Sequence, residues 1–165
     1  MSTPIAQQSA RRPSALKTIL VAGFVAGVLD ISAAIIVYSY IMNRVTPVRL
    51  LQGIASGAFG KSAFEGGTSM ALAGLGFHFL IAFSFTIFYY LIFPYIPFLK
   101  KQKIISGFLY GIFAWCVMNL IVLPLLHIAK IPTKWDGILR GAVILMFCIG
   151  LPIALIIGRY GRSKS

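Results

Sequence analysis

The chain has 165 residues, of which 59% are hydrophobic and 11% are charged, and its mean hydropathy is +0.91. Soluble domains carry about 25% charged residues, so this composition excludes a water-soluble globule and indicates a membrane protein. The net charge of +12 does not indicate nucleic-acid binding, because the 15 Lys and Arg residues lie at the ends of apolar runs and not on one amphipathic surface.

Four apolar runs are long enough to cross a hydrocarbon core, which needs about 20 residues. Backbone groups in lipid must be satisfied within the segment, so the runs predict helices. The fold class is therefore all-α: a polytopic membrane protein with one membrane domain over 1–165, built as a four-transmembrane-helix bundle. The predicted spans are about 18–42, 70–93, 104–127 and 137–158, with flexible basic tails at 1–14 and 160–165.

The first span carries Asp30 about twelve residues from either end. Because a helix rises about 1.5 Å per residue, this position lies near the middle of the membrane. Gly23, Gly27 and Ala34 share a narrow stripe with it, so a neighbouring helix can approach and Asp30 faces protein. An ionisable residue at this depth is costly and predicts a functional, titratable group. The alternative is structural: a neutral Asp30 that hydrogen-bonds a neighbouring helix.

The connection between the first two spans, about residues 47–64, predicts a short amphipathic helix. Thr46 and Pro47 are typical of an N-cap and a first helical position. The segment is too short and too charged to span, so it lies on the outer surface or re-enters the bundle. Its stretch ASGAFGKS (55–62) fits the spacing of a phosphate-binding loop, with Ala for the first glycine. No strand precedes it and no α/β domain surrounds it, so we predict no nucleotide site.

His78 on the second span and Asn119 on the third lie at nearly the same depth, about 10 Å from the outer edge. With Asp30 they are candidates for a buried polar or ion-relay cluster reaching from the outer side to the middle. Structural alternatives stay open for both residues: His78 can bond a backbone carbonyl, and Asn119 can form an interhelical hydrogen bond.

Three charged residues near the outer ends of the spans are candidates for the mouth of the bundle. Glu65 is a partner either for Lys61, four residues before it, or for Arg140, which needs one if it lies just inside the fourth span. The candidates for the outer mouth are thus Lys61, Glu65 and Arg140.

Glycines at helical spacing predict close helix packing in every span. The predicted packing glycines are Gly23, Gly27, Gly74, Gly107, Gly111, Gly137 and Gly141.

The sequence contains no paired carboxylates, HExxH helix, G-x-S-x-G elbow or metal-ligand cluster. We therefore predict no catalytic residues, no metal and no cofactor, and an enzyme is disfavoured.

Basic residues are distributed unequally between the two sides of the membrane. Fewer lie on the side of the two loops that follow the first and third spans: Arg44, Arg49, Lys61, Lys130, Lys134 and Arg140. More lie on the side of the termini and of the loop after the second span: Arg11, Arg12, Lys17, Lys100, Lys101, Lys103, Arg159, Arg162 and Lys164. The positive-inside rule therefore places both termini in the cytoplasm.

Residues 76–136 contain, in order, GFHFLIAFSFTIFYY, the basic turn FPYIPFLKKQK, SGFLYG and NLIVLPLL. This order resembles the uncharacterised bacterial inner-membrane proteins of the YagU type. The resemblance implies a small multi-pass protein of a bacterial inner membrane and carries over no catalytic residue.

Two functions are consistent with these features. The first is a small transport or permeation protein with a titratable Asp30, expected to be a homodimer because four helices enclose little cavity. The alternative is a non-catalytic accessory or assembly subunit that binds another membrane protein through its glycine-rich helix faces. In both, the lipid bilayer surrounds the chain, and no nucleic acid or nucleotide is expected as a partner.

Overall fold

The computed structural model describes residues 14–126 and 134–160, except the side chain of Tyr160. This part of the chain is all-α, without a strand, and has four helices long and apolar enough to cross a membrane, which confirms the predicted fold class. The predicted tails lie outside the described residues apart from positions 14 and 160, as does the end of the third predicted span at 127. The long helices are α1 (Ala15–Ile41), α3 (Gly67–Ile92), α5 (Lys103–Leu125) and α6 (Trp135–Arg159); α2 (Pro47–Phe59) and α4 (Pro97–Lys101) are short.

Local signals in the sequence set the bounds of α2. The Thr46 hydroxyl accepts a hydrogen bond from the Arg49 backbone N–H at 3.2 Å and Pro47 is the first helical residue, which confirms the predicted start. The helix ends at Phe59 and is followed by its C-cap Gly60, whose φ of 62° favours glycine; a 3₁₀ turn (Gly60–Phe64) then leads to α3. We call the end of the bundle that holds α2 the α2 end, and the other, where α4 and the described chain termini lie, the tail end.

Three of the four long helices contain a π segment, in which the turns are wider than in an α-helix. These segments are Ile35–Ile41 in α1, Val117–Val122 in α5 and Met146–Gly150 in α6. π turns are rare, and they occur frequently at functional sites. A wider turn also changes which side chains face a neighbour.

Glycines set the closest helix contacts. Gly107 and Gly111 of α5 face Gly150 of α6, and a Cβ atom at Gly111 would overlap the Met146 backbone. Four further predicted glycines meet a neighbour across a helix interface, whereas a Cβ at the predicted Gly137 would meet no atom of the described chain within 4 Å. Among the described residues Gly137 therefore has no packing partner. The four pairs are Gly23 with Phe83, Gly27 with Phe79, Gly74 with Leu51 and Gly141 with Trp115.

At the tail end, α3 and α5 meet through aromatic side chains. The Tyr110 hydroxyl donates a hydrogen bond to the Phe85 carbonyl at 2.6 Å, and the Tyr89 and Ser106 hydroxyls bond at 3.1 Å. The rings of Phe88 and Phe113 stack with centroids 5.6 Å apart. Large rings hold the two helices together here while keeping their backbones apart, and toward the α2 end the helices leave open space between them.

Candidate functional site

A cavity of about 670 Å³ lies in the half of the bundle nearer α2. Five helices wall it, namely α1, α2, α3, α5 and α6, and most of the lining is apolar. The cavity is bordered by residues of all three π segments, so the change in helix winding and the internal space coincide. Its polar side chains are Asp30, Tyr38, His78 and Asn119.

Asp30 lies half-buried in the cavity wall, deep within α1. Within residues 14–126 and 134–160 its carboxyl group accepts no hydrogen bond, although it is close enough to interact electrostatically with His78 and Cys148. No Lys or Arg of the described chain lines the cavity. An unpaired carboxylate in a low-dielectric site is costly, so this group favours either a proton or a cationic ligand.

His78 is held by a backbone group of the helix that carries Asp30. Its Nε2–H donates to the Gly27 carbonyl at 2.9 Å, and its ring packs edge-on against Phe79 with centroids 5.7 Å apart. With the proton on Nε2, a neutral imidazole leaves Nδ1 as an acceptor. The structure thus contains the backbone bond that the structural alternative required, and it also leaves a nitrogen able to take a proton.

Asn119 lines the cavity from the π segment of α5, but its hydrogen bond is not between helices. The side-chain amide donates to the Trp115 carbonyl of its own helix at 3.1 Å. The predicted interhelical bond is therefore wrong for the described chain. The reason is local: a short amide side chain readily reaches a carbonyl one turn earlier.

The α2 helix covers the cavity at its own end of the bundle. Leu50, Ile54 and Gly57 line the cavity, while the buried Gln52 side chain donates to the Gly67 carbonyl at 3.0 Å. Close contact between Gly74 and the Leu51 carbonyl places α2 directly on the backbone of α3. The stretch ASGAFGKS (55–62) covers the end of α2 and the start of the 3₁₀ turn, and its residues Gly57 and Ala58 line the cavity.

The predicted mouth residues do not line this cavity. Lys61 and Glu65 are exposed in the turn after α2. Arg140 pairs with Asp136 at 3.4 Å, one turn earlier on α6, and donates to the Met42 sulfur at 3.1 Å. The proposed pairing of Arg140 with Glu65 is therefore wrong, because a nearer carboxylate on the same helix takes that place.

A second, shallower space of about 310 Å³ lies between α3 and α5. We call this the α3–α5 seam. It shares four lining residues with the cavity, so the two spaces adjoin. Leu80 of α3 and Leu126, next to the end of α5, line the cavity and are still 61% and 40% exposed, so the cavity wall reaches the outer surface of the bundle at these two residues. The four shared residues are Ile81, Phe85, Met118 and Val122.

Tyr38 is the polar lining residue of the cavity that the sequence did not predict there. It follows Asp30 by eight residues, so in a regular helix it would point about 80° away from it. The π segment that begins at Ile35 winds more slowly and lets Tyr38 face the same cavity. Periodicity assumes a constant winding and could not have found this residue.

The fold and the cavity together define a multi-pass α-helical membrane protein with an internal, mostly apolar space. No group of three or more His, Cys, Asp or Glu side chains in the described ranges could hold a metal ion. The chain matches no family model, no curated protein and no solved structure. The resemblance of residues 76–136 to proteins of the YagU type therefore stays a prediction.

Proposed function

We propose that the chain is a small transport or permeation protein of a bacterial inner membrane in which Asp30 takes up and releases a proton. The observation that carries this proposal is the Asp30 carboxyl group, which lies in the wall of a cavity at depth in the bundle and has no hydrogen-bond partner among the described residues. His78 extends the path toward the α2 end, since its Nδ1 can accept a proton while Nε2 stays bonded to Gly27.

The proposal places the site within one chain. The expectation of a homodimer was based on the small space that four helices enclose. Here α2 adds a fifth wall, and a single chain encloses about 670 Å³. This size lies in the range of small-molecule sites, about 300–1,000 Å³.

The alternative, an accessory subunit with glycine-rich binding faces, has less support. Most of the glycines it would use already pack against helices of the same chain, as Gly27 does against Phe79 and Gly107 against Leu151. A partner could reach these glycines only if the bundle opened.

We further propose that the α2 end faces away from the cytoplasm and both termini face inward. In a variant with Cys116 and Cys148 replaced by Ala, cysteine introduced by Lys61→Cys should react with an impermeant thiol reagent added to intact cells. The matched variant Lys100→Cys, at the tail end, should react only after lysis. The reverse pattern would invert the orientation.

The transport proposal is tested by proton flux into liposomes under an imposed membrane potential, read with an internal pH dye. The wild-type chain should acidify the lumen faster than protein-free liposomes do, and Asp30→Asn should return the rate to the protein-free level. Asp136→Asn removes the same charge from an exposed position on α6 and should conduct as the wild type does. Equal rates for Asp30→Asn and the wild type, or no protein-dependent flux, would contradict the proposal.

A further inference from the structure

We propose that the cavity binds lipophilic organic cations, molecules with an ammonium-type charge and an apolar body, which enter it from the bilayer through the α3–α5 seam. This inference names the ligand class of the site described above and rests on the proposed function.

The charge of the ligand follows from the groups that face the cavity. Asp30 is the acidic residue among the described lining residues, and its carboxyl group has no hydrogen-bond partner within residues 14–126 and 134–160. No Lys or Arg of this part of the chain lines the cavity, and the nearby His78 ring, which interacts electrostatically with Asp30, bonds the Gly27 carbonyl instead. A cationic ligand would compensate a carboxylate that no hydrogen bond or salt bridge of the described residues satisfies.

Aromatic rings add a second reason to expect an ammonium group. Tyr38, Phe77 and Phe85 line the same cavity as Asp30. Ring faces attract ammonium groups, and the recognition of quaternary ammonium ligands commonly combines several rings. The apolar remainder of the lining suits an alkyl or aryl body.

The route of entry follows from where the cavity opens and from the charges around it. The surface at the α2 end carries the exposed basic residues Arg44, Arg49, Lys61 and Lys134, against the acidic Glu65 and Asp136. This excess of positive charge disfavours the approach of a cation from water on that side. Between α3 and α5 the rim is apolar: Leu80 and Leu126 are exposed there, and the groove that continues the opening is lined mainly by aliphatic and aromatic side chains. A cation that has already partitioned into the bilayer meets this rim directly.

The ligand class is tested by equilibrium binding to the full-length chain in lipid nanodiscs, with radiolabelled dodecyltrimethylammonium and its neutral analogue in which carbon replaces nitrogen. Protein-free nanodiscs correct for partitioning into lipid. The wild-type chain should bind the cation at least about tenfold more tightly than the neutral analogue. Asp30→Asn should abolish this preference, and Asp30→Glu should restore most of it. Equal binding of the two probes would overturn the proposal and identify the cavity as an acyl-chain site.

The route is tested with a bulky side chain in the seam. Ser84 lines the groove on α3, and Ile87, on the same helix and 43% exposed, lines neither space. Ser84→Trp should slow association of the cation at least about tenfold, because the indole ring fills the groove, while Ile87→Trp should leave the rate unchanged. Equal rates for Ser84→Trp and Ile87→Trp would overturn entry through the seam.

The two proposals fail in different ways. If Asp30→Asn loses proton flux but the two probes bind equally, the transport proposal stands and the proposed ligand class is rejected. If the wild-type chain binds the cation selectively but shows no protein-dependent flux, the ligand class stands and the transport proposal is rejected.

Discussion

Asp30 combines properties that few side chains in a membrane protein share. It lies deep in a transmembrane helix, it faces a cavity, and its carboxyl group accepts no hydrogen bond in the described chain. A side chain that only joined two helices would be expected to have a hydrogen-bond partner, donor or acceptor, on the neighbouring helix. Asp30 has no such partner among the described residues, which favours the functional interpretation over the structural one.

His78 allows the structural and functional roles of one residue to be separated. His78→Ala should lower stability by about 0.6 kcal/mol through loss of the bond to the Gly27 carbonyl, the average for such bonds between membrane helices. The amide of His78→Gln can still donate to this carbonyl and should unfold as the wild type does, as measured by thermal unfolding in bicelles. Both variants should reduce proton flux, since neither retains a titratable nitrogen. Wild-type flux in His78→Gln would limit His78 to a structural role.

At the scale of the elements, the placement of α2 on α3 depends on Gly74. Gly74 contacts the Leu51 carbonyl, while a Cβ at Gly76 would meet no atom of the described chain within 4 Å. Gly74→Ala should therefore displace α2 and lower the free energy of unfolding by about 1–3 kcal/mol, as overpacking does. Gly76→Ala, two residues away on the same helix, is the control and should be neutral or slightly stabilising. Equal stability of the two variants would show that α2 does not pack on α3 at Gly74.

The sequence predicted the long helices well because span length and hydropathy are imposed by the bilayer. It predicted Gly74 and Gly111 as packing positions but could not identify what packs on them, and it missed Gly150. It also included Gly137, because a glycine stripe says nothing about which face has a neighbour. Contacts between helices depend on how the helices are arranged, and periodicity along one helix does not contain that information.

At the scale of the whole molecule, the sequence predicted polar residues of the cavity but not the cavity itself. Asp30, His78 and Asn119 were selected from depth and polarity alone, and all three line this one cavity. Residues of π segments in three helices and of the covering helix α2 also line it. These are departures from regular geometry, so the opening between α3 and α5 and the role of Tyr38 could be found only in the structure.

The central claim is that Asp30 has a protonatable carboxyl group in a cavity open to the bilayer. Dicyclohexylcarbodiimide tests it most directly, because this reagent partitions into membranes and adds to protonated carboxyl groups. Among acidic side chains the chain has only Asp30, Glu65 and Asp136. In liposomes, peptide mass spectrometry should find the adduct on Asp30 and not on the two exposed acids, and prior addition of dodecyltrimethylammonium should reduce it. An unmodified Asp30, or modification that the cation does not affect, would contradict a cavity in which this carboxyl binds the ligand.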